Sequence, residues 1–131
     1  MQYIILLRGV NVGGRTIKMN ELKACFEGNG YQNVQTILQT GNVIVEISEK
    51  NIAKLQKKVE AELTAAFNYP AKVLAVTPEQ LQDILAAFPF KNLTPDFHRY
   101  IVFTEDGFEK TLVKDCGALY KDMEEVIAGE N

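Results

Sequence analysis

The chain has 131 residues, 47% hydrophobic and 24% charged, which suits one ordinary domain or two very small ones with a packed core. Its net charge of −3 argues against general nucleic-acid or anionic-membrane binding. No apolar run approaches the ~20 residues that cross a bilayer, and two distant cysteines, Cys25 and Cys116, form neither a disulfide framework nor a metal-like spacing. A reduced, cytoplasmic setting is the expectation.

Charge is distributed unevenly. Residues 1–20 hold Arg8, Arg15 and Lys18 and no acid, whereas residues 101–131 hold eight acids against three lysines. The beginning of the chain is basic and its end is acidic.

Tyr3-Ile4-Ile5-Leu6-Leu7 is a continuous apolar run that predicts a central strand covered on at least one face. The opening residues begin uncharged and lack a small-residue cleavage site, so they read as this strand and not as a leader. The run stops at Arg8-Gly9, and Asn11, Gly13 and Gly14 mark the following stretch as a loop. Asn20 is placed to cap a helix carrying Leu22, Cys25 and Phe26 on one face, with Gly30 as a left-handed residue just past its end.

Val34–Gln39 and Asn42–Ile47 are strand-forming runs separated by Thr40-Gly41, a tight hairpin signal. Ser48 is then expected to cap a long amphipathic helix, since Ile52, Leu55, Val59, Leu63, Ala66 and Phe67 recur three or four apart. Tyr69-Pro70 ends it, and Ala71–Val76 returns as a strand. Thr77-Pro78-Glu79-Gln80 is a capping box with proline at the first helical position, and Leu81, Ile84, Leu85 and Phe88 continue that helix to Pro89. Tyr100–Phe103 predicts a further strand, residues 107–120 a helix, and residues 125–128 a last short strand.

The order over residues 1–76 is β-α-β-β-α-β, an α+β arrangement matching the ferredoxin-like plait. From residue 77 to 131 the pattern restarts without completing a second plait. The right-handed crossover rule places the third strand between the first and second, antiparallel to both. The Arg8–Lys18 loop and the turn at Gln39-Thr40-Gly41-Asn42 must then meet at one end of the sheet.

These two segments carry a resemblance. Arg8-Gly9-Val10-Asn11-Val12-Gly13-Gly14, Lys18-Met19 with Glu21-Leu22, and Thr40-Gly41-Asn42-Val43 resemble, in motif and spacing, the bacterial domain-of-unknown-function family 1697. The resemblance implies two ferredoxin-like plaits in tandem. It also implies a further strand, helix and basic-aromatic segment beyond Asn131, so that the chain stops inside the second plait. It assigns no biochemical role.

The glycine-bearing loop is the strongest candidate site. Glycine turns leave backbone N–H groups uncovered, and nearby arginine or lysine completes an anion cradle. Arg8, Asn11, Gly13, Gly14, Arg15 and Lys18, with Gly41 and Asn42 from the neighbouring turn, are the expected anion-binding residues. The loop is neither a dinucleotide fingerprint nor a Walker A sequence. Glycine there also answers a geometric need for positive φ, and both readings stay open.

His98, the single histidine, cannot build a multi-histidine metal site, and no metal or cofactor is expected. Cys25 is expected to pack as a small hydrophobe. The aromatics Phe88, Phe90, Phe97, Tyr100 and Phe103 lie outside the first plait and give little support for base stacking. No residue pattern identifies a catalytic group. The sequence therefore points first to a small anionic ligand, phosphate or nucleotide-like. An enzyme acting on a phosphorylated substrate and a non-catalytic assembly module remain as alternatives, with oligomeric state open.

Overall fold

The computed structural model describes residues 1–11, 13–89, 100–104 and 107–116. The chain divides into two units, Met1–Pro78 and Glu79–Asn131. In the first, β1 (Gln2–Arg8) is followed by α1 (Met19–Gly28), β2 (Gln32–Ile37), a 3₁₀ turn (Leu38–Thr40), β3 (Asn42–Glu46), α2 (Ile52–Phe67) and β4 (Lys72–Val76). The second contains α3 (Pro78–Ala86), which begins at the boundary, and α4 (Phe108–Cys116).

The four strands form one antiparallel sheet in the order β2-β3-β1-β4. The third strand lies between the first and second, as the crossover rule requires. β1 is central, and the strict alternation of its burial separates two faces: Tyr3, Ile5 and Leu7 are buried while Ile4 and Leu6 are only half-buried. The buried face meets Leu22 and Phe26 of α1 and Leu55, Val59 and Leu63 of α2 in one core with Val43, Val45 and Val73. Each such side chain taken out of water contributes about 1.5–3 kcal/mol.

The two edges of this sheet are treated differently. β2 has a register irregularity between Gln32 and Gln35, where Asn33 takes a positive φ of 49°. Along β4, by contrast, α2 supplies acceptors to alternate outward N–H groups. Gln56 Oε1 accepts from Ala75 at 2.9 Å, Glu60 Oε1 from Val73 at 3.2 Å, and Thr64 Oγ1 accepts the Ala71 N–H just before the strand at 3.1 Å. Four helical residues advance about 6 Å and two strand residues about 6.7 Å, so the two periods match over this length.

Two helix starts depart from the sequence expectation. Lys18, not Asn20, is the N-cap of α1, and it makes no side-chain capping bond. Asn20 lies one residue inside the helix, where its Oδ1 accepts the Glu21 N–H. α2 is capped by Asn51, whose Oδ1 accepts the Lys54 N–H at 2.9 Å, and not by Ser48. The reason is that the Ile47 N–H donates to the Met1 carbonyl oxygen and keeps the chain extended past β3. The end of α1 matches expectation: Gly30, at φ 89°, turns the chain while Tyr31 N–H donates back to Phe26.

The β2–β3 connection is longer than a two-residue hairpin. Residues 38–40 make a 3₁₀ turn and Gly41 closes it in the left-handed region. No strand forms at Tyr100–Phe103, and Tyr100 and Val102 are 78% and 70% exposed. A β-branched run becomes a strand only where a neighbour supplies its ladder, and none of the sheet's ladders includes these residues. The helix expected after residue 107 is present as α4. His98, Phe90, Phe97 and the expected strand at 125–128 lie outside the described residues.

Candidate functional site

The loop after β1 and the turn after β2 meet at one end of the sheet, and the contact is built from backbone and amide groups. Leu7 N–H donates to the Gly41 carbonyl oxygen at 3.0 Å. Asn11 Nδ2 donates to the Gln39 carbonyl oxygen at 2.8 Å, and Asn11 Oδ1 accepts the Ile17 N–H at 2.7 Å. Asn11 itself sits at φ 57°, a region asparagine tolerates better than most residues. Its side chain therefore ties the loop to the turn and closes the loop on itself. Val10 and Ile17, both buried, anchor the two ends of the loop in the core.

Gly41 is buried at the centre of this junction. A Cβ there would lie 3.0 Å from Val10 Cγ2 and 3.1 Å from Leu7 Cβ, and the residue's φ of 83° is itself strained for any side chain. Asn42 is half-buried, and its Nδ2 donates to Thr40 Oγ1 at 3.1 Å. Of the eight residues singled out in the sequence, Asn11, Gly41 and Asn42 thus shape the junction.

The other five face outward. Gly13 and Gly14, at φ 61° and 79°, are exposed, and a Cβ at either would meet nothing within 4 Å. Their backbone is open to approach. Arg8, Arg15 and Lys18 are exposed, and among the described residues none of them forms an ion pair. Arg8 stands opposite Lys72 in the β1–β4 ladder, and Lys72 Nζ is paired with Glu60 Oε2 at 3.6 Å. Lys18 brings the uncapped N-terminus of α1 to the end of the loop, where helix N–H groups favour an anion, although Glu21 in the first turn opposes this.

Arg15 reaches across to the segment after α2: its guanidinium carbon sits 4.5 Å from the centroid of the Tyr69 ring. Such a contact contributes about 0.5–1 kcal/mol when exposed. Tyr69 is buried, its hydroxyl has no hydrogen-bond partner among the described residues, and burial pushes its pKa up, with Arg15 pulling the other way. By local pattern Tyr69 reads only as a helix terminator. No local signal marks it, because its partner is brought by the fold.

Cys25 lies half-buried at the margin of the core, with its Sγ 3.8 Å from Asn29 Nδ2. Burial pushes its thiol pKa up and Glu62 adds to this, against a lowering by Asn29. A thiol shifted this way is a poor nucleophile. Among the described residues no three His, Cys, Asp or Glu side chains gather to hold a metal ion, and no helix is long and apolar enough to cross a membrane.

With this geometry in place, comparison with known proteins is informative about kinship. All of residues 1–131 match the model of a family described as "Protein of unknown function (DUF1697)". The chain belongs to this family. A solved structure, described as a conserved bacterial protein from Streptococcus pneumoniae, aligns with a TM-score of 0.65 and 23% identity, covering 90% of this chain and 66% of that one. At this identity the likeness shows a shared fold alone, and the chain spans 66% of that protein's length. No curated protein matches the sequence.

Proposed function

We propose that this chain is a bacterial, cytoplasmic binding module for a small anion, phosphate or nucleotide-like, held at the Arg8–Lys18 loop. In this reading residues 1–76 are a ferredoxin-like plait and residues 77–131 part of a second one. Asn11, Gly41 and Asn42 hold the loop in shape, and Arg8, Gly13, Gly14, Arg15 and Lys18 make the contacts.

The observation that carries the proposal is the open backbone at Gly13-Gly14 flanked by cations without acidic partners among the described residues. Glycines with nothing around them leave backbone N–H groups open to approach, and charge-assisted hydrogen bonds from arginine are about twice as strong as neutral ones. Because Asn11 fills the inner side of the loop, the anion approaches from outside.

An enzyme acting on a phosphorylated substrate would use the same loop to hold charge. It would also need a proton-transferring group tuned near neutrality. Among the described residues, the one group with a displaced pKa that touches the loop is Tyr69, and burial moves it away from neutrality. This favours binding over catalysis.

The test is a thermal-shift screen with inorganic phosphate, nucleotides and sugar phosphates, repeated on Arg8→Ala/Arg15→Ala. Ligand at a hundred times its dissociation constant adds about 2.7 kcal/mol of stability. A shift that disappears in a mutant with native circular dichroism supports the site. No shift with any of these anions would overturn it.

A further inference from the structure

The β2–β3 turn that flanks the glycine loop carries two exposed apolar side chains. Ile37 is 42% and Leu38 75% exposed. The backbone at Leu38 is also unusual. Among the described residues, four other than glycine have positive φ, and three of them (Asn11, Asn33 and Asn68) are asparagines, the side chain that tolerates the left-handed region best. The fourth is Leu38, at φ 56°. Leucine has no polar group with which to offset this conformation.

Leu38 is thus unfavourable twice over: its backbone is strained and its side chain is in water. Neither feature serves the core, which Leu38 does not enter. The strain is fixed from both sides, since Ile37 before it pairs with Asn42 in the β2–β3 ladder and Asn11 Nδ2 holds the Gln39 carbonyl oxygen after it. The loop that offers the cations is therefore the same loop that forces Leu38 outward. Strained residues that persist because their surroundings over-determine them cluster at ligand sites.

The geometry points to a ligand in which an anionic group is joined to an apolar or aromatic body, such as an aryl phosphate or a nucleoside phosphate. Its anion sits at Gly13-Gly14 with Arg8, Arg15 and Lys18, and its body packs on Ile37 and Leu38. This inference rests on the anion site proposed above and adds the chemical class of what it holds. Positive charge beside an apolar tip selects a compound with both features over a bare phosphate, and over an apolar molecule without charge. The chain's net charge of −3 disfavours the other surface with both features, an anionic membrane.

The experiment is a calorimetric titration of wild type and Leu38→Asn with inorganic phosphate, phenyl phosphate and phenol. Wild type is expected to bind phenyl phosphate about tenfold or more tightly than phosphate, as burial of an apolar group implies, and phenol not measurably. Leu38→Asn relieves the backbone strain, so it should melt higher, by about 4 °C or more, while losing the preference for phenyl phosphate and keeping its affinity for phosphate.

Failure of the two proposals looks different. If neither phosphate nor phenyl phosphate binds wild type, the anion site is wrong and this inference falls with it. If both bind equally, or the preference survives in Leu38→Asn, the anion site stands and the apolar wall is refuted. Binding to phosphatidic-acid vesicles in place of phenyl phosphate would also refute it, and would make the tip a membrane contact.

Discussion

The side-chain amide of Asn11 donates to the Gln39 carbonyl oxygen at 2.8 Å, joining two loops that are 28 residues apart in sequence. The same side chain accepts the Ile17 N–H. One residue therefore determines both the shape of the glycine loop and its attachment to the neighbouring turn.

Replacing Asn11 tests this directly. Asn11→Ala removes both hydrogen bonds and puts a less tolerant residue at positive φ, for a loss of about 2–3 kcal/mol. Asn11→Gly keeps the backbone freedom and should lose only about 1–2 kcal/mol. Urea denaturation measures both, and equal stabilities for the two variants would contradict the role given to φ.

Gly41 leaves no room for substitution. Gly41→Ala must strain the backbone and push a methyl group into Val10 and Leu7. A loss of about 2–4 kcal/mol is expected. Gly13→Ala and Gly14→Ala meet only the φ penalty, because nothing surrounds them, and should each lose about 1–2 kcal/mol. A ranking with Gly41→Ala mildest would refute the packing argument.

The seal on β4 predicts a change in association as well as stability. Glu60→Ala uncovers the Val73 N–H and removes the partner of Lys72, whose Nζ lies 3.6 Å from Glu60 Oε2. It should destabilise by about 1–2 kcal/mol, while Glu60→Gln, which keeps an acceptor, should cost less. The ion pair adds little because it is partly solvated. Combining Glu60→Ala with Gln56→Ala frees two N–H groups on one edge, and light scattering should then show self-association absent from wild type.

Alkaline pH should unfold the protein through its buried phenols. Tyr3, Tyr31 and Tyr69 all have pKa values raised above 10.0, in each case first by burial; Glu49 adds to this for Tyr3 and Glu62 for Tyr31. A group whose folded pKa is raised contributes stability that is present below the unfolded pKa and is lost as pH rises toward the folded one. Stability should therefore be flat up to about pH 9 and fall steeply above pH 10, seen as tyrosinate absorbance rising together with loss of circular dichroism. Tyr69→Phe removes a buried hydroxyl without a partner among the described residues, so it should raise stability at neutral pH by about 1 kcal/mol and make the alkaline fall shallower. Titration of all tyrosines at their ordinary pKa with the fold intact would contradict this.

Much of the first unit could be read from local pattern. Apolar runs gave the strands, the three-to-four spacing of Leu55, Val59 and Leu63 gave α2, and Gly30 marked the end of α1. One relationship is longer in range: the crossover rule alone places the glycine loop beside the turn at Gly41. These features are legible because backbone propensity, side-chain periodicity and connection handedness act along the chain or depend only on element order.

Other features depended on which groups the fold brings together. Ser48 and Asn51 are both good caps, and the Met1–Ile47 hydrogen bond decided between them. The run at Tyr100–Phe103 has strand-forming residues but takes no place in the sheet's ladders. Neither the Asn11 bond to the Gln39 carbonyl oxygen nor the Arg15 contact with the Tyr69 ring has a signal in the local sequence. Leu38 reads as one more strand residue, yet the loops on either side of it set a left-handed backbone that leucine alone would avoid. Sequence determined the elements and their order because those follow from local energetics. Tertiary structure decided where amides, cations and strain are placed, because hydrogen bonds and packing act between groups that only the folded chain makes neighbours.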